Sequence, residues 1–138
     1  MATFETSWWD EEKTILYFFV GTGWTWNDVN ENVRKGRILA QSVTHPIAVI
    51  VDLRQMTLPP PESIYRMSGI AAGRPENIHF TVYVTDSLAV RLLFHNFCRI
   101  YPAYAAPYRL ARTVHEAVRQ IDQWKGGGHK PPTMSPDV

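Results

Sequence analysis

The sequence predicts a single α/β domain over residues 3–125, built as β-β-α-β-α-β-α-β-α around a mostly parallel sheet. Short apolar segments of strand length alternate with amphipathic segments of helical spacing, which is the pattern of βαβ units. The chain has 138 residues, about the size of one domain. Hydrophobic residues make up 45% and charged residues 20% of it, as in a globular protein with its own core.

The first part of the chain predicts three strands and one long helix. Residues 4–8, 14–20 and 46–53 have the apolar and β-branched character of strands. Thr25 is a candidate N-cap for the helix, because Asp28 follows three residues later and can complete a capping box. Apolar or small residues then recur at helical spacing, at Val29, Val33, Gly36, Ala40 and Val43.

The central part predicts a second helix, a fourth strand and a third helix. Three prolines at 59–61 interrupt the chain, and proline suits the first turn of a helix, so the second helix is expected to begin near Glu62. Residues 78–85 form the fourth strand, and Ser87 is a candidate cap for the helix that follows.

The last part predicts one more strand and helix, followed by a tail. Residues 108–111 are strand-like, and Thr113 with Glu116 forms a capping box for the final helix. Residues 126–138 begin with three glycines and soon reach two prolines, so we expect a flexible C-terminal tail there.

The sheet is predicted to carry its helices on one face. Right-handed crossovers between sequentially ordered parallel strands place the connecting helices on the same side. In the fourth strand, apolar residues alternate with His79, Thr81 and Tyr83, whereas a strand covered on both faces is typically apolar throughout. We therefore expect these three residues on an open face. A homodimer would bury that face, and the alternative is a solvated face.

Composition narrows the classes of partner and compartment. The formal net charge is only +1, which argues against a nucleic-acid partner. The longest apolar stretch, residues 14–23, is about half of the ~20 residues that a membrane helix needs, so we expect no membrane insertion. Cys98 is the single cysteine, so no intramolecular disulfide can form, and a cytoplasmic location is expected.

The element order and one local motif resemble the STAS domain in its SpoIIAA-like form, the module of anti-sigma-factor antagonists. The motif is the apolar strand 47–53, which ends in Asp52 and Leu53 just before a loop. The resemblance covers nearly the whole domain and implies a non-enzymatic regulatory or scaffolding module that acts through protein partners. Related domains that carry lipids leave open an alternative, a carrier or sensor of a small apolar or anionic ligand.

The resemblance also points to residues around the loop after this strand. Asp52, Arg54, Glu62 and Ser63 are candidates for partner or ligand binding. The family's phosphorylatable Asp-Ser-Ser-Gly sequence is missing, because residues 60–63 are Pro-Pro-Glu-Ser, and kinase-controlled switching is therefore not implied. Glu62 is either a permanent substitute for a phosphate at a helix N-terminus or an ordinary acid of the first turn.

Two further groups of residues are candidate contacts. Trp24 and Trp26 stand between glycines and the first helix, where indoles suit a ligand or partner surface, or simply pack the core. Arg91, His95 and Arg99 recur at every fourth position of the third helix. They form a basic stripe suited to an acidic partner or phosphate, or an ordinary solvated face.

The sequence shows no assembly of catalytic or metal-binding residues. The five histidines are scattered without the spacing of a zinc site, and no glycine-rich phosphate loop is present. We therefore expect no enzyme activity, cofactor or metal. A closed apolar cavity beside Trp24 and Trp26 would favour the carrier or sensor over the protein-binding module.

Overall fold

The structure is a computed structural model that describes residues 3–127, and it consists of one five-stranded sheet with helices on both faces. The strands are β1 (Phe4–Trp8), β2 (Ile15–Val20), β3 (Ile47–Asp52), β4 (Ile78–Val84) and β5 (Tyr108–Ala111). The helices are α1 (Trp26–Gln41), α2 (Ser63–Ala72), α3 (Leu88–Ile100), α4 (Pro102–Ala105) and α5 (Val114–Gly126).

The strands lie side by side in chain order, which confirms the mostly parallel α/β sheet. β1 pairs with β2 in antiparallel fashion, and the three other pairs are parallel. Each parallel pair is joined by a crossover that contains a helix, as the handedness rule requires for helices that share a face. The one addition to the predicted order is the short helix α4, which begins at Pro102.

Side-chain caps set the starts of three helices at the predicted residues. Thr25 and Asp28 form the complete capping box of α1. The Ser87 hydroxyl accepts a hydrogen bond from the Val90 amide at the start of α3. The Thr113 hydroxyl accepts a hydrogen bond from the Glu116 amide at the start of α5. These bonds satisfy amides that the first turn of a helix leaves without partners.

The prediction that all helices lie on one face is wrong, because α5 covers the opposite face. We call the α5 side the back face and the side of α1, α2 and α3 the front face. The back core is one continuous cluster, formed by Ile15, Ala48, Ile50, Phe80, Val82, Val84, Ala111, Ala117, Ile121 and Trp124. α5 follows the last strand, so no crossover constrains its side, and the apolar back of the central strands needs a cover.

The prediction of an open face, available to a dimer partner at His79, Thr81 and Tyr83, is also wrong. Thr81 is buried and Tyr83 packs against the cluster formed by α2, α3 and α4 on the front face. His79 is the extra residue of a register shift, since Ile47 pairs with Ile78 while Ala48 pairs with Phe80. Such a bulge reverses the alternation of side chains, so His79 does not continue the row of Thr81 and Tyr83.

The C-terminal boundary lies slightly beyond the predicted residue 125. Gly126 is the last residue of α5. The Gly127 backbone N–H caps the helix by donating hydrogen bonds to carbonyl groups of its last turn. The rest of the predicted tail, 128–138, lies outside the described residues. Within residues 3–127, no helix combines the length and the apolar character needed to cross a membrane.

The two-sided packing makes a prediction about Ile121, which is fully buried between α5 and the back of the sheet. Ile121→Ala should lower the free energy of unfolding by about 3 kcal/mol, because it removes apolar contacts and leaves a cavity. Ile38→Ala is the matched control, since Ile38 is 58% exposed on α1, and its effect should stay within about 0.5 kcal/mol. Urea denaturation measures both, and equal effects would contradict the placement of α5.

Candidate functional site

The front core is divided into two separate clusters with a cavity between them. One cluster joins α1 to the sheet through Leu16, Ala40, Ile47 and Val49. The other joins α2, α3 and α4 to β5 through Ala71, Phe94, Phe97, Cys98, Ala105 and Tyr108. The cavity between them has a volume of about 200 Å³. It exceeds the engineered cavity of about 150 Å³ that stays dry and binds benzene.

The cavity has an apolar floor and an apolar roof. The floor is the front face of the sheet and includes Phe18, Val20, Val49, Val51, Thr81 and Tyr83. The roof comes from the three front helices and includes Val29, Val33, Met67, Ile70, Leu93 and Phe94. Aliphatic and aromatic walls favour an apolar ligand over water, since water needs two or more polar partners.

Gly36 sets how closely α1 approaches this floor. It is buried in the middle of the helix, where glycine is unfavourable relative to alanine by about 1 kcal/mol. The Phe18 ring lies directly beneath it and occupies the space that a Cβ would need. The glycine therefore allows the aromatic ring of β2 to sit under α1 at the cavity wall.

The carboxyl ends of the strands form one end of the cavity. Trp24 lies in the loop after β2 and Trp26 is the first residue of α1, and their rings meet edge to face at 5.1 Å between centroids. The Arg66 guanidinium of α2 lies over the Trp26 ring at 4.8 Å, so it spans the gap between α1 and α2. Ligands of open α/β sheets typically bind near this edge of the sheet.

Glu62 and Ser63 begin α2 at this same end. Glu62 has left-handed backbone torsion angles and makes no side-chain cap, and its carboxylate lies 3.7 Å from Arg66. Ser63 is buried in the cavity wall, where its hydroxyl donates a 2.6 Å hydrogen bond to the Pro60 carbonyl. The predicted Trp24, Trp26 and Ser63 therefore meet at the cavity, while Glu62 is an exposed acid beside it.

Two arginines line the opposite end of the cavity, near the start of β4. Arg37 of α1 packs its guanidinium against Gly73, at the C-terminus of α2. Arg74 donates a 3.3 Å hydrogen bond to the Tyr104 carbonyl and lies 5.4 Å from the centre of the Tyr108 ring. The cavity thus carries positive charge at both ends and an apolar wall between them.

The partly buried Tyr83 and the buried Tyr108 form a pair of rings beside Arg74. Burial, followed by the neighbouring Tyr108, raises the pKa of Tyr83 well above its ordinary value. Burial also raises the pKa of Tyr108, although Arg74 opposes this shift. The two rings meet at 5.2 Å between centroids. Both hydroxyls therefore keep their protons and act as fixed hydrogen-bonding groups in the wall.

Asp52 and Arg54 lie elsewhere, in an ion pair on the back side of the sheet end. The buried Asp52 carboxylate receives two hydrogen bonds from the Arg54 guanidinium, at 2.8 and 2.9 Å, and one from the Tyr17 hydroxyl at 2.5 Å. Burial alone would raise the pKa of Asp52, but these hydrogen bonds lower it overall. Burial and the contact with Asp52 raise the pKa of Tyr17 to about 12. This group therefore fastens β2 to the end of β3.

The basic stripe on α3 does not border the cavity. Arg99 is exposed and hydrogen-bonds Asn96 of its own helix, while Arg91 and His95 are half-buried. Cys98 faces the core on the same helix, and burial raises the pKa of its thiol to about 11. Among the described residues, no three His, Cys, Asp or Glu side chains are close enough to hold a metal ion.

Sequence reasoning missed the two arginines and the glycine of the cavity. A signal for Arg37 was present, because it follows Val33 by four residues and therefore lies beside the apolar stripe of α1. Gly36 lies within the same stripe, where a residue without a side chain indicates that a neighbouring element packs closely against the helix. Arg74 had no comparable signal, since its surroundings depend on α4 and β5.

No protein-family model matches the chain, and no curated protein or solved structure matches it either. The STAS resemblance therefore stays a prediction.

The Asp52 group makes a prediction about stability and pH. Asp52→Asn should lower the free energy of unfolding near pH 7 by about 1–2 kcal/mol, because it removes a charged acceptor whose partner Arg54 is half-exposed. The carboxyl pKa is lower in the folded chain than the unfolded value of about 3.9. The stabilisation is thus complete above that value and is lost as the pH falls through the folded pKa.

Urea denaturation at neutral pH and at several acidic pH values tests this expectation. The difference between the wild type and Asp52→Asn should shrink as the pH falls below about 4. Asp122→Asn on the exposed side of α5 is the control and should change stability by less than about 0.5 kcal/mol. A difference for Asp52→Asn that is independent of pH would contradict the role of its charge.

Proposed function

We propose that this protein binds a small apolar molecule in the front cavity, as a carrier or a sensor, and does not transform it. The observation that supports the proposal is the cavity itself, about 200 Å³ of space between two halves of the front core. Trp24 and Trp26 border it, and this apolar cavity, which is partly open to solvent rather than closed, supports ligand binding over a purely protein-binding module. The helices that roof the cavity would transmit occupancy to the surface.

The side chains of the wall support binding without chemistry. Among the described residues, the lining includes no Asp, Glu, His, Lys or Cys side chain. Its titratable groups are arginines and the tyrosines Tyr83 and Tyr108, whose raised pKa values keep them protonated near neutral pH. A general base needs a pKa near the operating pH, and none of these groups supplies one.

Burial sets the affinity expected from the apolar walls. A molecule the size of an aromatic side chain buries roughly 200 Å². At about 25 cal/mol per Å² this contributes about 5 kcal/mol. Burial alone therefore gives a dissociation constant of about 0.2 mM. Tighter binding would require a polar contact at one end of the cavity.

The protein-binding module implied by the STAS resemblance is the second candidate. Large apolar side chains are exposed around the starts of α2 and α3, with Leu58 and Tyr65 each 75% exposed and Leu88 70% exposed. The Ser87 hydroxyl donates a hydrogen bond to the Thr57 carbonyl at 2.6 Å, which holds the segment containing Leu58 beside the start of α3. Exposed apolar residues of this kind favour contact with a protein partner.

Filling the cavity tests the proposed function. Val51 lies half-buried on the floor, and Val51→Phe would place a ring in the empty space. The variant should bind octanol at least tenfold more weakly than the wild type, because the ring occupies the volume of the ligand. Its melting temperature should stay equal to that of the wild type or rise, since the ring gains contacts without overpacking.

Titration with octanol, followed by tryptophan fluorescence and by calorimetry, measures the binding. Val118→Phe on α5 is the matched control, because it adds the same ring on the back of the sheet, and it should bind octanol like the wild type. No saturable binding by the wild type would overturn the proposal, and so would equal binding by Val51→Phe.

A further inference from the structure

We propose that the ligand of the cavity is a single alkyl chain that ends in an oxyanion, of which a carboxylate is the simplest form. The head would be held by Arg37 and Arg74, and the chain would extend toward Trp26. This inference rests on the proposed function and adds the chemical class and the orientation of the ligand.

The charges of the lining favour an anion. The cavity wall contains three charged side chains among the described residues, and all three are arginines: Arg37, Arg66 and Arg74. A cationic ligand would meet arginine side chains at both ends of an apolar space. An anionic head would instead neutralise their charge, in keeping with the rule that buried charges are paired.

The two ends differ in how far their charge is already neutralised. Arg66 has the Glu62 carboxylate at 3.7 Å and the face of Trp26 at 4.8 Å. Neither Arg37 nor Arg74 forms an ion pair with any residue in the described part of the chain. The free positive charge therefore lies at the end near Gly73, and we place the head of the ligand there.

Arg37 and Arg74 both line this end of the cavity, and both are partly buried. The Arg37 guanidinium contacts Gly73, the residue directly before Arg74 in the chain. Arg74 is fixed by the Tyr104 carbonyl and the Tyr108 ring. Arg37 makes no hydrogen bond within residues 3–127. Its planar group is thus available for the paired bonds that arginine forms with carboxylates.

The space between the ends limits the chain. A cavity of about 150 Å³ holds benzene, with its six carbons. By the same ratio, about 200 Å³ holds a chain of about eight carbons. Val29, Val51 and Met67 lie along the walls between the two arginine ends, where a chain would contact only apolar groups. Octanoate is therefore the matched probe.

Three probes with the same chain and different heads test the inference: octanoate, octanol and octylamine. In calorimetric titrations of the wild type, octanoate should bind at least tenfold more tightly than octanol, and octylamine more weakly than either. Arg37→Gln should weaken octanoate binding about tenfold and leave octanol binding unchanged. Arg34→Gln is the control, because Arg34 is exposed on the same helix and does not line the cavity, and it should change neither.

The outcomes separate the inference from the proposed function. If octanol and octanoate bind equally, or if Arg37→Gln weakens both to the same extent, the inference of an anionic head group is overturned. The proposed binding of an apolar molecule is then still supported. If none of the probes binds saturably, the proposed function itself fails. If Arg34→Gln lowers octanoate binding as much as Arg37→Gln does, the effect comes from overall charge, and the placement of the head is overturned.

Discussion

The division of the front core into two clusters is the constraint on which the rest of this structure depends. On the back face, α5 closes over the central strands and forms one uninterrupted apolar cluster. On the front face, α1 packs at one side and α2, α3 and α4 at the other, and a cavity lies between these helices and the centre of the sheet. The groups that line the front cavity lack some of the dispersion contacts of a filled core. The continuous back core can compensate for this loss of stability.

The same division separates apolar from polar interactions in the site. The middle of the cavity is lined by aliphatic and aromatic groups, whereas its charged groups lie at the two ends. Arg66 at one end is neutralised by Glu62, and Arg74 at the other is oriented by neutral tyrosine and carbonyl groups. Apolar burial supplies a limited and unspecific attraction, so orientation of a ligand depends on this difference between the ends. Asp52, Arg54 and Tyr17 stabilise the sheet end without taking part in the site.

Local sequence signals correctly predicted features that depend on neighbouring residues, such as helix caps. They failed for features that depend on contacts between elements far apart in the chain, such as the burial of polar residues and the placement of α5. The caps at Thr25, Ser87 and Thr113 and the order of strands follow from neighbouring residues, and the structure confirms them. Because Thr81 and Tyr83 are polar, they were predicted to face solvent. They line the cavity instead, and Tyr83 also contacts Tyr108. The side taken by α5 was not predictable from crossover handedness. Trp24 and Trp26 line the cavity, but its volume depends on helices far apart in the chain.

The most direct test of the account is a crystal structure of the protein with octanoate brominated at its terminal carbon. The anomalous signal of bromine reports the position of the chain end independently of the fitted protein atoms. We expect bromine inside the front cavity, near Trp26 and Leu53, with the carboxylate between Arg37 and Arg74. Bromine at the Arg37 end would contradict the orientation. Front helices packed onto the sheet with no space between them would contradict the presence of the cavity on which the proposed ligand binding depends.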